Sequence, residues 1–298
     1  MRARMATGGA ICRWVGGRRA DGACLAVHDR ASSPILSASL ADMGPKAHGR
    51  ILFWEGASLW ILSAPPGQKY PKTDPHSHHV VQVTVALTGR IHFDGEGERA
   101  SGGAIGIAPN SRHAFEGTGL VAHLFVASDG KEGRQIARRL FSNGPIASIP
   151  ARLLGDLPAR LKATFENPRH TDDDLRALGR SLIARLAGEG ARADAPDARI
   201  VKWIAWVAPR LDEAVSLTDA ATFIGLSPGR ARHLFVQQTG LPFRTYLLWL
   251  RLMRAVEMYA GRASLTAAAH GAGFADSAHL SRTFRRMFGI VATSLRVS

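Results

Sequence analysis

Two sets of side chains in this sequence could do chemistry. The first is His76-Ser77-His78. Histidines one residue apart point to the same face of a β-strand. Joined by a third imidazole from a neighbouring strand, they can coordinate a divalent metal. They can equally form the polar lining of a ligand pocket, or lie at the surface near a Pro-rich turn. The second set stands near the end of the chain: Ser227, Arg230, Arg232 and His233, then Ser277, His279, Ser281, Arg282, Arg285 and Arg286. Arg can donate bidentately to guanine, while Ser, His and backbone amides hold phosphates. Arg232 and His233, and then Ser281 and Arg282, are the expected base contacts. Arg230, Arg285 and Arg286 are the expected phosphate clamps. Any one of these arginines alone would read as a solvated surface charge.

What groups them is a repeat. Leu217, Ala220, Ala221, Ile224 and Gly225 match Leu265, Ala268, Ala269, Ala272 and Gly273 at an offset of 48. After one extra residue, Ser227, Ala231, Phe235 and Gly240 match Asp276, Leu280, Phe284 and Gly289 at 49. Each copy reads as a short helix, a Gly turn and a capped second helix, the pattern of paired helix-turn-helix units. Ser227 and Asp276 are the expected caps, with Pro228 at the favoured first position. Ala231, Leu234 and Phe235 in one unit, and Leu280, Thr283 and Phe284 in the other, should face inward. Between the units, Pro242 to Ala260 carries the marks of one long helix, closed by Gly261. At 1.5 Å per residue such a rod spans roughly 28 Å, about the one DNA turn that separates paired recognition helices. Arg251 and Arg254 are expected to brace the two halves.

Upstream, from Ile51 to about Val126, short Val/Ile/Phe-rich runs alternate with turn residues, which predicts an antiparallel sandwich or small barrel. Trp54 and Trp60 fall on its early strands as core, or as stacking surfaces for an effector. Residues 131–142, 151–166 and 172–187 read as helices. Thr171 caps the last, whose apolar stripe serves either packing or dimerisation. Gly188 to Ala198 is small, polar and Pro-containing, a linker pattern.

The formal charge of +14 is uneven: net +8 over 199–298, +1 over 51–198 and +5 over 1–50. A polyanion partner is the natural reading of that distribution. The two cysteines, Cys12 and Cys24, form neither a zinc nor a disulfide pattern, which fits a reducing cytoplasm. No apolar run reaches the length of a membrane span, and no signal-peptide pattern is present. Residues 1–45 read as a disordered basic extension, with Met43 an alternative start.

The segments GLSPGRARHLF, TGLPFRTYLLWLRLMRA and SLTAAAHGAGFADSAHLSRTFRRMFG resemble the AraC/XylS family of transcription regulators over about residues 200–298. The resemblance implies an all-helical domain whose two helix-turn-helix units bind promoter DNA, with RNA polymerase as a further partner. Ala278 and Leu280 depart from the usual Ser and Phe, and Pro209 interrupts the first helix of the domain. Upstream, His76-x-His78, Gln82 and Gly89 resemble the first cupin motif, with Gln82 in place of its glutamate. Gly103, Pro109 and His113 resemble the second, with His113 one residue early. His76, His78, Gln82 and His113 are therefore the candidate effector or metal ligands, while His79, His92 and His123 are expected to serve packing or solvent.

The expected architecture is α+β and multidomain. It comprises the extension (1–45), a cupin-like sensor barrel (46–130), a helical segment that could dimerise (131–190), a linker (191–198) and an all-α DNA-binding domain (199–298). The function that follows is a cytoplasmic, sequence-specific DNA-binding regulator responding to a small-molecule effector, not an enzyme. No cofactor is required beyond the divalent metal already weighed. A metal-dependent cupin enzyme fused to a DNA-binding domain, and a nonspecific nucleoid binder, are the competing readings.

Overall fold

The structure, a computed structural model, describes residues 47–95, 97–188 and 196–297. The basic extension, both cysteines and most of the linker lie outside the described residues.

Eight strands open the described chain: β1 (Ala47–Trp54), β2 (Ala57–Ser63), β3 (Val81–Ala86), β4 (Ile91–Gly95), β5 (Arg99–Gly102), β6 (Ala104–Ile107), β7 (His113–Gly117) and β8 (Leu120–Val126). Two three-residue strands come later, β9 (Ile146–Ser148) and β10 (Leu295–Val297). They form a seven-stranded sheet, β10-β1-β2-β8-β3-β6-β9, and a three-stranded sheet, β5-β4-β7. Every pairing is antiparallel except β1 with β10. The chain crosses from the small to the large sheet at Gly103 and again at Thr118-Gly119. The ladders therefore leave two facing sheets, and among the described residues no closed barrel forms.

Period-two alternation sorts each central strand into two environments. On β3, Val81, Val83 and Val85 face a helical layer, and Gln82 and Thr84 face the space between the sheets. On β8, Ala122 and Leu124 face the helices, while Val121 and Phe125 turn inward to meet Trp60, Phe93 and Phe115. The helices are α1 (Lys131–Leu140), α2 (Ala151–Leu154), α3 (Leu157–Glu166) and α4 (Asp172–Ala187). The single helix expected over 151–166 is broken. Gly155 takes φ 58°, and Pro158, which has no N–H to give the preceding turn, stands in the first turn of α3 instead. Thr171 and Asp174 close a reciprocal capping box on α4. Leu175, Leu178, Leu182, Ile183 and Leu186 of α4 are buried against the large sheet. That stripe is spent on intramolecular packing, so a dimer would need another surface.

The C-terminal part comprises α5 (Ala198–Val207), α6 (Leu217–Phe223), α7 (Pro228–Thr239), α8 (Phe243–Ala260), α9 (Leu265–Gly271) and α10 (Ser277–Phe288). Helix α5 gives way to a 3-10 turn over Ala208–Arg210, where Pro209 stands. The first helix-turn-helix unit, α6–α7, is built on its own core of Trp203, Phe235, Phe243 and Tyr246. The second, α9–α10, shares one continuous core with the sandwich, through Trp249, Phe284 and Phe288. Arg251 braces α8 to the preceding segment by donating to the carbonyls of Leu211 (2.6 Å) and Glu213 (2.8 Å).

The turns of the two units hold Gly225 at φ +70° and Gly273 at φ +78°. A Cβ at Gly225 would meet nothing within 4 Å, so Gly225→Ala carries only the left-handed backbone penalty of about 1 kcal/mol. A Cβ at Gly273 would collide with the Leu211 carbonyl, and Gly273→Ala should cost visibly more. Thermal unfolding of the two variants should rank them in that order. Equal midpoints would mean the turns are not built as described.

Candidate functional sites: a histidine cluster, an interdomain cavity and two recognition helices

His76 lies just before β3 and His113 opens β7. Their backbones exchange two hydrogen bonds, of 2.9 and 2.8 Å. The His78 carbonyl accepts from the Asn110 amide, which pins the second imidazole beside them. Ligand nitrogens of His76, His78 and His113 lie within 4.8 Å of one another, and all three residues are buried. The Nδ1 atoms of His76 and His113 face the carbonyls of Asp74 (2.8 Å) and Ser111 (2.9 Å). As donors there, they leave each Nε2 with a free lone pair. His113 Nε2 has no hydrogen-bond partner among the described residues. Gln82 Oε1 sits 2.7 Å from His78 Nε2, so it joins this cluster as the sequence suggested.

Burial disfavours the imidazolium forms. It holds His78 down to about 4, helped by the charge of His76, and His123 to about 3. It also pushes His76 and His113 below the usual histidine range. The cluster is thus neutral at pH 7, the form in which imidazole binds either a metal or a hydrogen-bond donor.

His123 was expected to serve packing or solvent, but it is turned into the interior. Its Nδ1 lies 3.0 Å from Thr84 Oγ1 and 3.4 Å from Gln82 Nε2. The signal was present in the sequence, since Val121, His123 and Phe125 share one strand face. His79 packs its ring 5.8 Å from Tyr246 and meets Ser128 Oγ at 3.1 Å. His92 is exposed and pairs with Ser101. Trp54 is half-buried beneath Arg180, and Trp60 is core.

Beside the cluster is a cavity of about 320 Å³, within the size range of small-molecule sites. Trp60, Phe115 and Phe125 line it from the sandwich, and Phe288, Ile290 and Val291 from the C-terminal part; its polar lining includes His76, Gln82 and His123 and the charged Lys72, Asp74 and Arg285. Phe288 packs 4.8 Å from Trp60 and 5.7 Å from Phe125. Around it, Asp74 donates its amide to the Gly289 carbonyl (2.8 Å) and pairs its carboxylate with Arg285 Nε (2.7 Å). The second recognition helix is thereby docked on the sandwich by its final turn. This interdomain contact, and the role of Asp74, were invisible to sequence reasoning because both join residues more than 150 positions apart.

On α7, Ser227, Arg230, Arg232 and His233 are all exposed. Ser227 stands at the cap position, but its side chain makes no capping bond among the described residues, contrary to expectation. On α10, Asp276 does cap, accepting from the His279 amide at 2.6 Å. Arg282 and Arg286 are exposed, while Ser277 and His279 are half-buried. Two assignments differ from expectation. Ser281 turns its hydroxyl back to the Ser277 carbonyl (2.8 Å), a local bond that competes with reaching a base. Arg285 is held by Asp74, because it lies on the docked last turn. The loop joining α6 to α7 has four residues and that joining α9 to α10 has five, so the inserted residue lies in the second turn.

Comparison with known proteins agrees with this geometry. A helix-turn-helix domain family matches residues 220–297. The HTH-type transcriptional activator RhaS of Klebsiella pneumoniae (strain 342) is 25% identical over 238 residues, covering 72% of this chain and 83% of that protein. RhaS of Escherichia fergusonii is 40% identical over 94 residues, 31% of this chain and 34% of that protein. Among solved structures, ToxT from Vibrio cholerae O395 shares the fold, with a TM-score of 0.51 at 11% identity over 80% of this chain and 95% of that one. Over residues 220–297 the chain thus carries a helix-turn-helix domain, and over most of its length it is similar to HTH-type transcriptional activators.

Proposed function

We propose that this protein is a sequence-specific DNA-binding transcriptional regulator. In this reading the N-terminal sandwich is a cupin-like sensor, and its ligand reaches the DNA-binding domain through a shared cavity wall. The observation that carries it is the pair of unlike recognition helices joined by α8, each with an exposed basic face. The relatives named as transcriptional activators support it, and make RNA polymerase a further proposed partner in the cytoplasm. The effector is a small molecule with an apolar body and a polar group, matching the aromatic walls and a polar lining that carries the charged Lys72, Asp74 and Arg285 beside Gln82 and His123. Because the cavity takes walls from both domains, such a ligand has different affinities for docked and undocked arrangements, as any regulatory ligand requires. Gln82 cannot take up a proton as a carboxylate would. The carboxylate of the cupin motif is therefore missing, the relatives are named as transcriptional activators, and the enzyme reading is not adopted.

Mapping the genomic sites bound by the protein tests this directly. A recurring two-part sequence motif near promoters is expected, and uniform coverage without a motif would reduce the protein to a nonspecific binder. On such a site, Arg282→Ala should weaken binding by about 1–3 kcal/mol and relax preference at one base position. Equal weakening on all sequences would show that Arg282 reads no base. Arg286→Ala should weaken all duplexes alike and lower the slope of log affinity against log salt by about 0.9. An unchanged slope would remove it from the phosphate contacts.

A further inference from the structure

We propose that His76, His78 and His113 bind one divalent transition-metal ion of the zinc class, with Gln82 Oε1 as the fourth donor, and that this ion holds the end of α10 against the sandwich. The inference rests on the sensor reading of the N-terminal domain and gives that sensor a ligand. Three observations converge on it. The first is the donor set: three imidazole nitrogens within 4.8 Å of one another, buried together, with an amide oxygen 2.7 Å from one of them. A tetrahedral ion with bonds near 2.0–2.1 Å brings such nitrogens to about 3.3 Å apart, so the rings close inward on binding.

The second observation is the support behind the donors. Carbonyl oxygens of Asp74 and Ser111 face Nδ1 of His76 and His113, which fixes the tautomer with Nε2 free, the usual outer contact of a metal-bound histidine. His78 has an acceptor at each nitrogen, the Val80 carbonyl at 3.3 Å and Gln82 Oε1 at 2.7 Å. A neutral ring has one proton for the two, so with Nδ1 protonated two lone pairs point at a common place. The third is the orphaned His113 Nε2, a buried acceptor that nothing among the described residues satisfies.

The same geometry joins the ion to the recognition helix. Asp74 accepts from His76 through its carbonyl, donates its amide to the Gly289 carbonyl and holds Arg285 with its carboxylate. A Cβ placed on Gly289 would strike the Asp74 carbonyl and come within 2.6 Å of His76 Nδ1, so this end of α10 and the first ligand are in direct contact. An ion on His76 Nε2 locks the tautomer in which Nδ1 donates to the Asp74 carbonyl and polarises that N–H, which strengthens the bond that holds Asp74 against the end of α10.

The test uses the full-length protein, stripped with chelator and titrated with Zn²⁺, and with Co²⁺ as a spectroscopic probe. One ion per chain, a tetrahedral Co²⁺ absorption band, and slower hydrogen exchange over the last turn of α10 in the loaded protein are expected. His113→Ala and His78→Ala, each checked for native circular dichroism, should lose the stoichiometric ion. Asp74→Ala, which removes the Arg285 pair and keeps the backbone bonds to His76 and Gly289, should keep the ion and reduce the change at α10. Absence of a stoichiometric ion overturns the site. An ion that binds without altering exchange at α10 overturns its role in docking. DNA-site selection is measured on the same preparations, because a protein that selects its sites yet takes no metal fails this inference alone, while one that loads metal and selects no DNA fails the regulator reading alone.

Discussion

Phe235→Ala should abolish DNA binding and lower stability of the C-terminal domain by about 3–5 kcal/mol, the usual cost of emptying a buried aromatic site. Phe235 is fully buried, with its ring centroid 4.5 Å from Trp203, 5.4 Å from Phe243 and 5.2 Å from Tyr246. Those three side chains come from α5 and from the first turn of α8. Removing the ring therefore loosens α7 against both its neighbours and the rod that sets the spacing of the two units. Against a total stability of about 5–15 kcal/mol, this loss leaves the first unit largely unfolded. The sandwich should survive, because its core and that of the first unit form separate clusters. The two-step melting curve that results, seen by tryptophan fluorescence and circular dichroism, checks the prediction. Retention of a single wild-type transition would contradict it. The matched residue of the second unit, Phe284, behaves differently. It lies 6.5 Å from Trp60 and 4.9 Å from Phe288, so Phe284→Ala should disturb the sandwich and α10 together.

Mild acid should be the second large perturbation, in chelator-treated protein. His78 and His123 are held by burial at about 4 and about 3, against an ordinary value of 6.5. Below pH 6.5 the unfolded chain takes up protons that the folded chain refuses, so stability falls as pH falls. The loss runs from about 6.5 down to about 4 for His78 and about 3 for His123. By pH 5 each residue accounts for about 2 kcal/mol. Burial of His76 and His113 acts in the same direction. Urea unfolding at pH 7 and pH 5 should show the midpoint drop. His123→Asn, which keeps a polar contact without the titration, should recover part of it. Equal midpoints at the two pH values would mean these rings are not enclosed.

The helix-turn-helix repeat was legible because its signals are local. Left-handed glycines and inward apolar positions recur within each unit, and Ala231, Phe235, Leu280 and Phe284 are buried where the periodicity placed them, while of the two expected caps Asp276 forms its bond and Ser227 does not. The faces of β3 and β8 were legible for the same reason, and the same parity puts His123 on the inward face with Val121 and Phe125. What escaped depends on distant partners. Strands β9 and β10 are three residues each and exist by pairing with β6 and β1. The split of the strands into two sheets follows from crossings at Gly103 and Gly119, which no periodicity reveals. The docking of Phe288 and Arg285 on the sandwich joins the two ends of the described chain. It converts one sequence-equivalent pair, Phe235 and Phe284, into residues with different surroundings. Helical position alone makes Ser281 and Arg285 outward residues, but it does not reveal the hydrogen bond to Ser277 or the carboxylate of Asp74.

The central claim is that two unlike recognition helices read DNA together. Selection of bound sequences from a randomised duplex library by the full-length protein tests it most directly. The account predicts two dissimilar motifs whose centres lie about one helical turn, 10–10.5 base pairs, apart. Arg232→Ala should degrade one motif and Arg282→Ala the other. Enrichment of a single motif, of two identical ones, or of none would contradict it.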